Sequence, residues 1–500
     1  MKLAAFSFCV LFMVGSVSPL NAQKASLYKE QYRPQFHFSS PLHWINDPNG
    51  LVYYDGEYHL FYQHNPMGIR WGHMSWGHAV SKDLVHWQHL PLAIEEGKEV
   101  MIFSGTCVVD KNNSSGFGKD GKIPMVAIYT GHIEEKNQSQ HIAYSLDNGR
   151  TWTKYDRNPV LDLGKKDFRD PKVFWYEPGK KWIMAVVLPI EKQIQFYSSG
   201  NLKEWSLMSS FGPAGDTTGI WECPDLFEVP VTGEAGKTKW VLMHSPAPYM
   251  QYFVGEFDGN KFTCENPVTK VYRPDYGPDY YAAIVYNNLP KGLAPISIGW
   301  INNWNYANDI PTMPWRGAMS IPRTLSVKKI NGEWILMQQP IAALQQLRYG
   351  AMEWKEKSIE NKWVLPAKGQ QYELDLLIDI GTSAQCGVRL AAGNGKELEI
   401  GYNAKDKKLY IDRSKTAQQS FHKKFGELSR YETHVEASKN QIRLRVFFDN
   451  SIVSVFANEG EAVLTAQFYP DKKDNAIELF SNNGRATLKQ GRFWMMKSTW

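Results

Sequence analysis

Three stretches of this chain open alike: an acidic residue, a proline one or two positions later, an apolar run, a glycine-containing turn and a second apolar run. Asp47-Pro48 precedes LVYYDGEYHLFYQ (51–63). Asp170-Pro171 precedes KVFWYEPGKKWIMAVV (172–187), and Glu222-Cys223-Pro224 precedes DLFEVPVTGEAGKTKWVLMHS (225–245). Each pattern is that of a β-hairpin. Asp47 and Asp170 lie 123 residues apart, and Asp170 and Glu222 lie 52 apart. If the longer gap is two periods, a unit falls midway, where FSGTCVVD (103–110) faces PMVAIYTG (124–131). A fifth follows at PDYYAAIVY (278–286), with Asp279 in the matching place. A second mark recurs between the starts: SKDLVHW (81–87), SLDNGRTW (145–152) and SGNLKEW (199–205) each run from Ser through Asp or Asn to Trp. All-β repeats of this length with an aromatic mark predict propeller blades of about four strands. Five starts predict five blades.

In a propeller the innermost strand of each blade lines a central channel. If the acids hold one equivalent position on those strands, residues far apart in sequence meet at one mouth of the channel. A plainer reading is that turn acids recur because hairpins recur. Against it, the flanks differ (WIN, FR, IW) while the acid stays, and packing alone gives no reason to crowd carboxylates, which repel one another.

Past residue 345 the text changes. QQPIAALQQLRYG forms a linker or short helix, and short alternating runs follow, among them YELDLLIDI, KLYIDR, IRLRVFFDN and IVSVFAN. They predict an antiparallel β-sandwich. The expected fold class is therefore all-β: a five-bladed β-propeller over 23–345 followed by a C-terminal β-sandwich over 346–500, behind a signal peptide at 1–22. The leader rests on Lys2, the apolar run Leu3 to Val14 and the small and polar residues up to Ala22. That run is too short to span a bilayer, so export without membrane insertion is expected. Charge is mixed along the chain with no basic run, which argues against nucleic acid as a partner. After the leader, Cys107, Cys223, Cys264 and Cys386 form no CxxC pair, which argues against structural zinc and a disulfide framework. Eight of the 13 histidines fall between His37 and His89 without metal-ligand spacing, and are expected to be ordinary strand-edge residues.

WINDPNG, FRDP and WECPD together resemble the three acidic motifs of glycoside hydrolase family 32, the β-fructofuranosidases. FYQHNP (61–66), WGHAVSKDLVHW (76–87), FSGT (103–106), GWINNWNY (299–306) and PWRGAMSIPR (314–323) are also similar to that family, as are YIDRSK and FDNSIVSVFANEGEAVLT in the last third. The likeness covers nearly the whole chain after the leader. Ile45 and Thr106 depart from frequent family residues without touching the acids. The resemblance implies a propeller followed by a sandwich, no cofactor and no metal. It implies Asp47 as nucleophile, Glu222 as general acid/base and Asp170 as stabiliser of the transition state. It further implies that Asn46, Gln63, Ser104 and Arg169 bind fructosyl hydroxyls, and that Trp71, Phe103 and Trp304 wall the pocket. A retaining double displacement would place nucleophile and acid about 5–5.5 Å apart. The expected substrate is a fructan of levan or inulin type, or sucrose, cut from the chain end. Endo attack, fructosyl transfer and, more remotely, a non-catalytic fructan-binding protein stay open, as do linkage preference and oligomeric state.

Overall fold

The computed structural model describes residues 27–500; the expected leader lies outside the described residues. Five sheets form the blades of a propeller. Their first strands are His43–Tyr54, Met101–Val109, Arg169–Tyr176, Trp221–Pro230 and Tyr281–Val285. These five strands pack side by side in a ring, so they line the channel. Apolar side chains fill the gaps between neighbouring blades. Val52, Phe61 and Trp76 of blade 1 pack on Cys107 and Tyr129 of blade 2, and Ile183 and Phe196 of blade 3 pack on Leu226 and Phe253 of blade 4. Burying one such large side chain contributes roughly 1.5–3 kcal/mol. The ring is closed by a short strand, Trp315–Arg316, which lies in the chain between the second and third strands of blade 5 and pairs in parallel with His43 and Trp44 of blade 1.

The recurring Ser-to-Trp segments are one turn type. Ser81, Ser145 and Ser199 donate to Asp83, Asp147 and Asn201, and those acceptors cap the backbone amides that follow. The indoles of Trp152 and Trp205 then close onto the carbonyls of Gly149 and Leu202. The histidine expectation needs correcting: His37, His59 and His78 are buried, and His59 and His78 share a hydrogen bond of 3.1 Å.

One local feature repeats in all five innermost strands. Where each meets its neighbour, two residues stand opposite one: Asn46-Asp47, Phe103-Ser104, Asp170-Pro171, Cys223-Pro224 and Ala282-Ala283. These are β-bulges, which bend a strand and re-aim its side chains. Asp170, Cys223 and Ala282, the first bulge residues of blades 3 to 5, adopt φ of 63°, 47° and 51°. That left-handed conformation is costly for residues with a Cβ and is found where function constrains the backbone. Gly105, next to the second bulge, lies where a Cβ would strike the carbonyl of Ile128 and stand 2.6 Å from the Cα of Tyr129.

A short 3-10 helix, Ala342–Leu347, leads out of blade 5. Beyond it, ten strands form one continuous sheet folded over a single apolar core. The fold-over runs through Ala476–Met496. The first part of this 21-residue strand pairs with Gln385–Gly393, and the last part pairs with Gln371–Asp379. Asn483 and Gly484, both at positive φ, mark the bend between the two layers. Phe447, Phe456, Val463 and Met496 of the sandwich bury against Phe36, Phe38, Ile284 and Ile341 of the propeller.

Candidate active site

The bulges gather the sequence-named acids at one mouth of the channel. A cleft of about 350 Å³ is lined by Asn46, Asp47, Gln63, Trp71, Phe103, Ser104, Arg169, Asp170, Glu222 and Trp304. Every site residue that the family resemblance implied is therefore brought to the same cleft. The acids do not hold one equivalent position, as the repeat had led us to expect. Asp47 is the second residue of its bulge, Asp170 the first of its own, and Glu222 immediately precedes its bulge. Asp279, the matching acid of the fifth unit, is absent from the cleft. Tyr281 occupies the position of Glu222 instead, and its hydroxyl donates to Glu222 Oε2.

The two oxygens of Asp47 differ. Oδ2 accepts from the Ser104 hydroxyl at 2.9 Å and faces the Cys223 thiol at 3.5 Å. Oδ1 has no hydrogen-bond partner among the described residues. Burial and then the charge of Glu222 raise the Asp47 pKa, while the Ser104 hydrogen bond opposes them. Asp170 Oδ2 accepts from the Cys223 amide at 3.0 Å, and its backbone amide is anchored on the Thr130 hydroxyl at 2.9 Å. Burial also raises Asp170, with the Arg169 guanidinium acting against it. The Cys223 thiol is pushed well up, first by burial and then by Asp170 and Asp47. It stays protonated and stands 3.5 and 3.7 Å from the two carboxylates, so it is a weak donor rather than an inert filler.

Arg169 ties the cluster together. Its guanidinium donates to Glu222 Oε1 at 3.0 Å, to Asp167 Oδ1 at 2.8 Å and to Gln138 Oε1 at 3.2 Å. Its Nε stands 3.9 Å from Asp170 Oδ2. Such a planar fork can serve several acceptors at once where an ammonium acts as a point charge. Lys172, three residues on from Arg169, and Asp225 on the first strand of blade 4 form a buried ion pair at 3.2 Å.

Trp44 donates from its indole to Asn46 Oδ1 at 2.7 Å, which fixes that amide, and Gln63 is held by the Ile102 carbonyl at 3.0 Å. Trp71 meets Phe103 edge-on at 6.0 Å, and Trp304 packs on Trp300 at 4.8 Å. The site also has members that the sequence did not indicate. His132 stacks on Phe103 at 4.4 Å, and Gln138 and Asp167 hold Arg169. Asp167 stands two residues before Arg169 in KKDFRDP, a signal that was available. Tyr281 carried none, because counting from Asp279 puts it out of register.

Against models of known families, residues 37–340 match the one described as glycosyl hydrolases family 32 N-terminal domain, and residues 343–495 match the family's C-terminal model. A levanase from Bacillus subtilis is 44% identical over 495 residues, an alignment covering 96% of this chain and 72% of that protein. An extracellular exo-inulinase from Aspergillus niger is 39% identical over 526 residues, covering 95% and 96%. The crystal structure of an exo-inulinase from Aspergillus awamori superposes with a TM-score of 0.89 at 37% identity, covering 95% of this chain and 100% of that one.

Proposed function

The chain belongs to glycosyl hydrolase family 32, and from that premise we propose that it is an exported, retaining β-fructofuranosidase that releases fructose from the ends of fructans or from sucrose. The observation that carries this reading is the meeting of Asp47, Asp170 and Glu222 in one cleft, with Asp47 held in a fixed direction. Its Oδ2 is pinned by Ser104, and its buried Oδ1 has no hydrogen-bond partner among the described residues. A nucleophile needs that fixed direction and a neighbouring acid to protonate the group that departs.

In the first step a carboxylate oxygen of Asp47 bonds to C2 of the fructosyl unit as the bond from C2 to the departing oxygen breaks. Glu222 gives its proton to that oxygen. In the second step a water loses a proton to Glu222 and its oxygen bonds to C2, which frees Asp47. The net change is the addition of one water across the glycosidic bond. Positive charge builds on C2 and the ring oxygen in both transition states. Asp170 is placed to oppose it, and an interaction that strengthens only there raises turnover. Arg169, Asn46 and Gln63 hold the hydroxyls, and the three aromatic walls exclude water from the reacting bond. End-wise attack is supported by the size of the cleft and by the exo-acting relatives. Export is supported by the leader-like sequence and by the relative described as extracellular.

Early-time chromatography on levan, inulin and sucrose, with Asp47→Ala as control, tests the reading. Fructose alone from the first minutes is the expected product, and the faster polymer identifies the linkage. A ladder of oligosaccharides would mean endo attack. Transfer products at the expense of free fructose would mean a transferase, and binding without cleavage would mean a fructan-binding protein.

Ser104→Ala gives a second expected result. Asp47 must be ionised to attack, and the Ser104 hydrogen bond lowers a pKa that burial has raised. Removing the hydroxyl raises it further, so less Asp47 is ionised at a given acidic pH. The acidic limb of the kcat/KM profile should move to higher pH, because that profile reports the free enzyme. A limb that stays put or moves down would mean that Asp47 does not set it.

A further inference from the structure

The acid of the fifth repeat is used, but not for chemistry. Asp279, fully buried, accepts from Arg413 Nη1 at 2.8 Å through Oδ2 and from the Tyr306 hydroxyl at 2.6 Å through Oδ1. Arg413 Nη2 donates to the same hydroxyl at 2.9 Å, which closes a ring of three side chains. Arg413 belongs to the sandwich strand Lys408–Lys415, whereas Asp279 and Tyr306 belong to the propeller. The guanidinium also lies 3.8 Å over the ring of Phe425, and Phe425 meets Tyr306 edge-on at 5.1 Å.

Tyr306 lies two residues after Trp304, a wall of the cleft. Two residues before Trp304, Asn302 accepts from Gln467 Nε2 at 3.1 Å, and Gln467 is another sandwich residue. The segment carrying this wall is thus held on both sides by the second domain. The hold reaches a second wall. Just past Tyr306, Asn308 Oδ1 accepts from the Trp71 amide at 3.0 Å, and Asp309 pairs with Arg70 at 2.9 Å.

We propose that Arg413 is a positioning residue for the substrate cleft: acting through Asp279 and Tyr306, it sets the loop that places Trp304 and braces Trp71, so that the sandwich determines how tightly the cleft grips a fructosyl unit. The inference rests on the proposed fructosidase reading, since Trp304 and Trp71 matter only if the cleft takes sugar. Arg413 touches no reacting atom. Its loss should weaken the grip on substrate in ground and transition states alike and leave the carboxylates undisturbed.

Full-length Arg413→Lys keeps a positive charge for Asp279 but cannot span both Asp279 and Tyr306. Tyr306→Phe keeps the ring and the ion pair and removes only the hydroxyl, so it remains informative if the lysine variant folds poorly. Both are assayed well below their unfolding midpoints on the polymer or sucrose that the wild type cleaves. For each, KM should rise at least about fivefold with kcat within about twofold, the signature of lost uniform binding. Substrate-induced change in tryptophan fluorescence should shrink in parallel. Variants that melt earlier but keep the wild-type KM, kcat and fluorescence response would make the ring an interdomain fastener only and overturn the inference. A fall in kcat at constant KM would overturn it as well. A wild type that cleaves none of the substrates would remove the fructosidase reading first, and the inference with it.

Discussion

Replacing Asp47 with alanine is expected to lower kcat by about 10⁴-fold or more, the scale seen when a covalent nucleophile is removed, while leaving the protein at least as stable. The activity loss follows from the geometry. Asp47 stands in a bulge at the channel mouth with its Oδ2 directed by Ser104, and the carboxylates beside it are engaged elsewhere. Asp170 has its amide tied to Thr130 and its Oδ2 on the Cys223 amide. The stability expectation follows from charge. Asp47 is buried near Glu222 and Asp170, and burial and Glu222 both disfavour its charged form. Its partners, Ser104 and Cys223, are neutral donors, so deleting it strands no buried charge. Sites built for function commonly carry such destabilising arrangements. Steady-state kinetics and thermal unfolding check both halves together. Turnover retained above about 1% would remove Asp47 from the nucleophile role. A large drop in melting temperature would mean that the carboxylate holds the fold.

The second large effect is expected for Glu222→Gln. On a natural fructan it should lower kcat by about 10² to 10⁴-fold, the usual contribution of a positioned proton donor. On an aryl fructoside with an acidic leaving group, which departs without a proton, the first step should survive. The second step still lacks its base, so a burst of aryl alcohol should precede a slow steady state, with the covalent fructosyl-enzyme detectable by mass spectrometry. The amide is nearly isosteric and can still accept from Tyr281, though its NH2 then faces the Arg169 guanidinium and that hydrogen bond is lost with the charge. Equal losses on both substrates, with no burst, would show that Glu222 acts by positioning Arg169 rather than by moving a proton.

The sequence alone determined much of this protein. Hairpin periodicity and the spacing of Asp47, Asp170 and Glu222 were enough for five blades and a shared channel mouth. These signals are local: side chains alternate with period two, and turns need glycine and proline. Residues 346–500 showed their strands for the same reason. Only the tertiary structure decided the register at the channel mouth. A bulge adds one residue to one strand, and one residue is enough to exchange the faces of everything beyond it. Counting by motif therefore put Asp279 beside the acids of the cleft, whereas the fold puts Tyr281 there and turns Asp279 toward Arg413, 134 residues away. The Ser104 bond to Asp47, the fork of Arg169 among its acceptors and the sandwich's hold on Trp304 have the same character. Each arises where strands from different blades or domains converge, and no periodicity along one strand records which residue will face it.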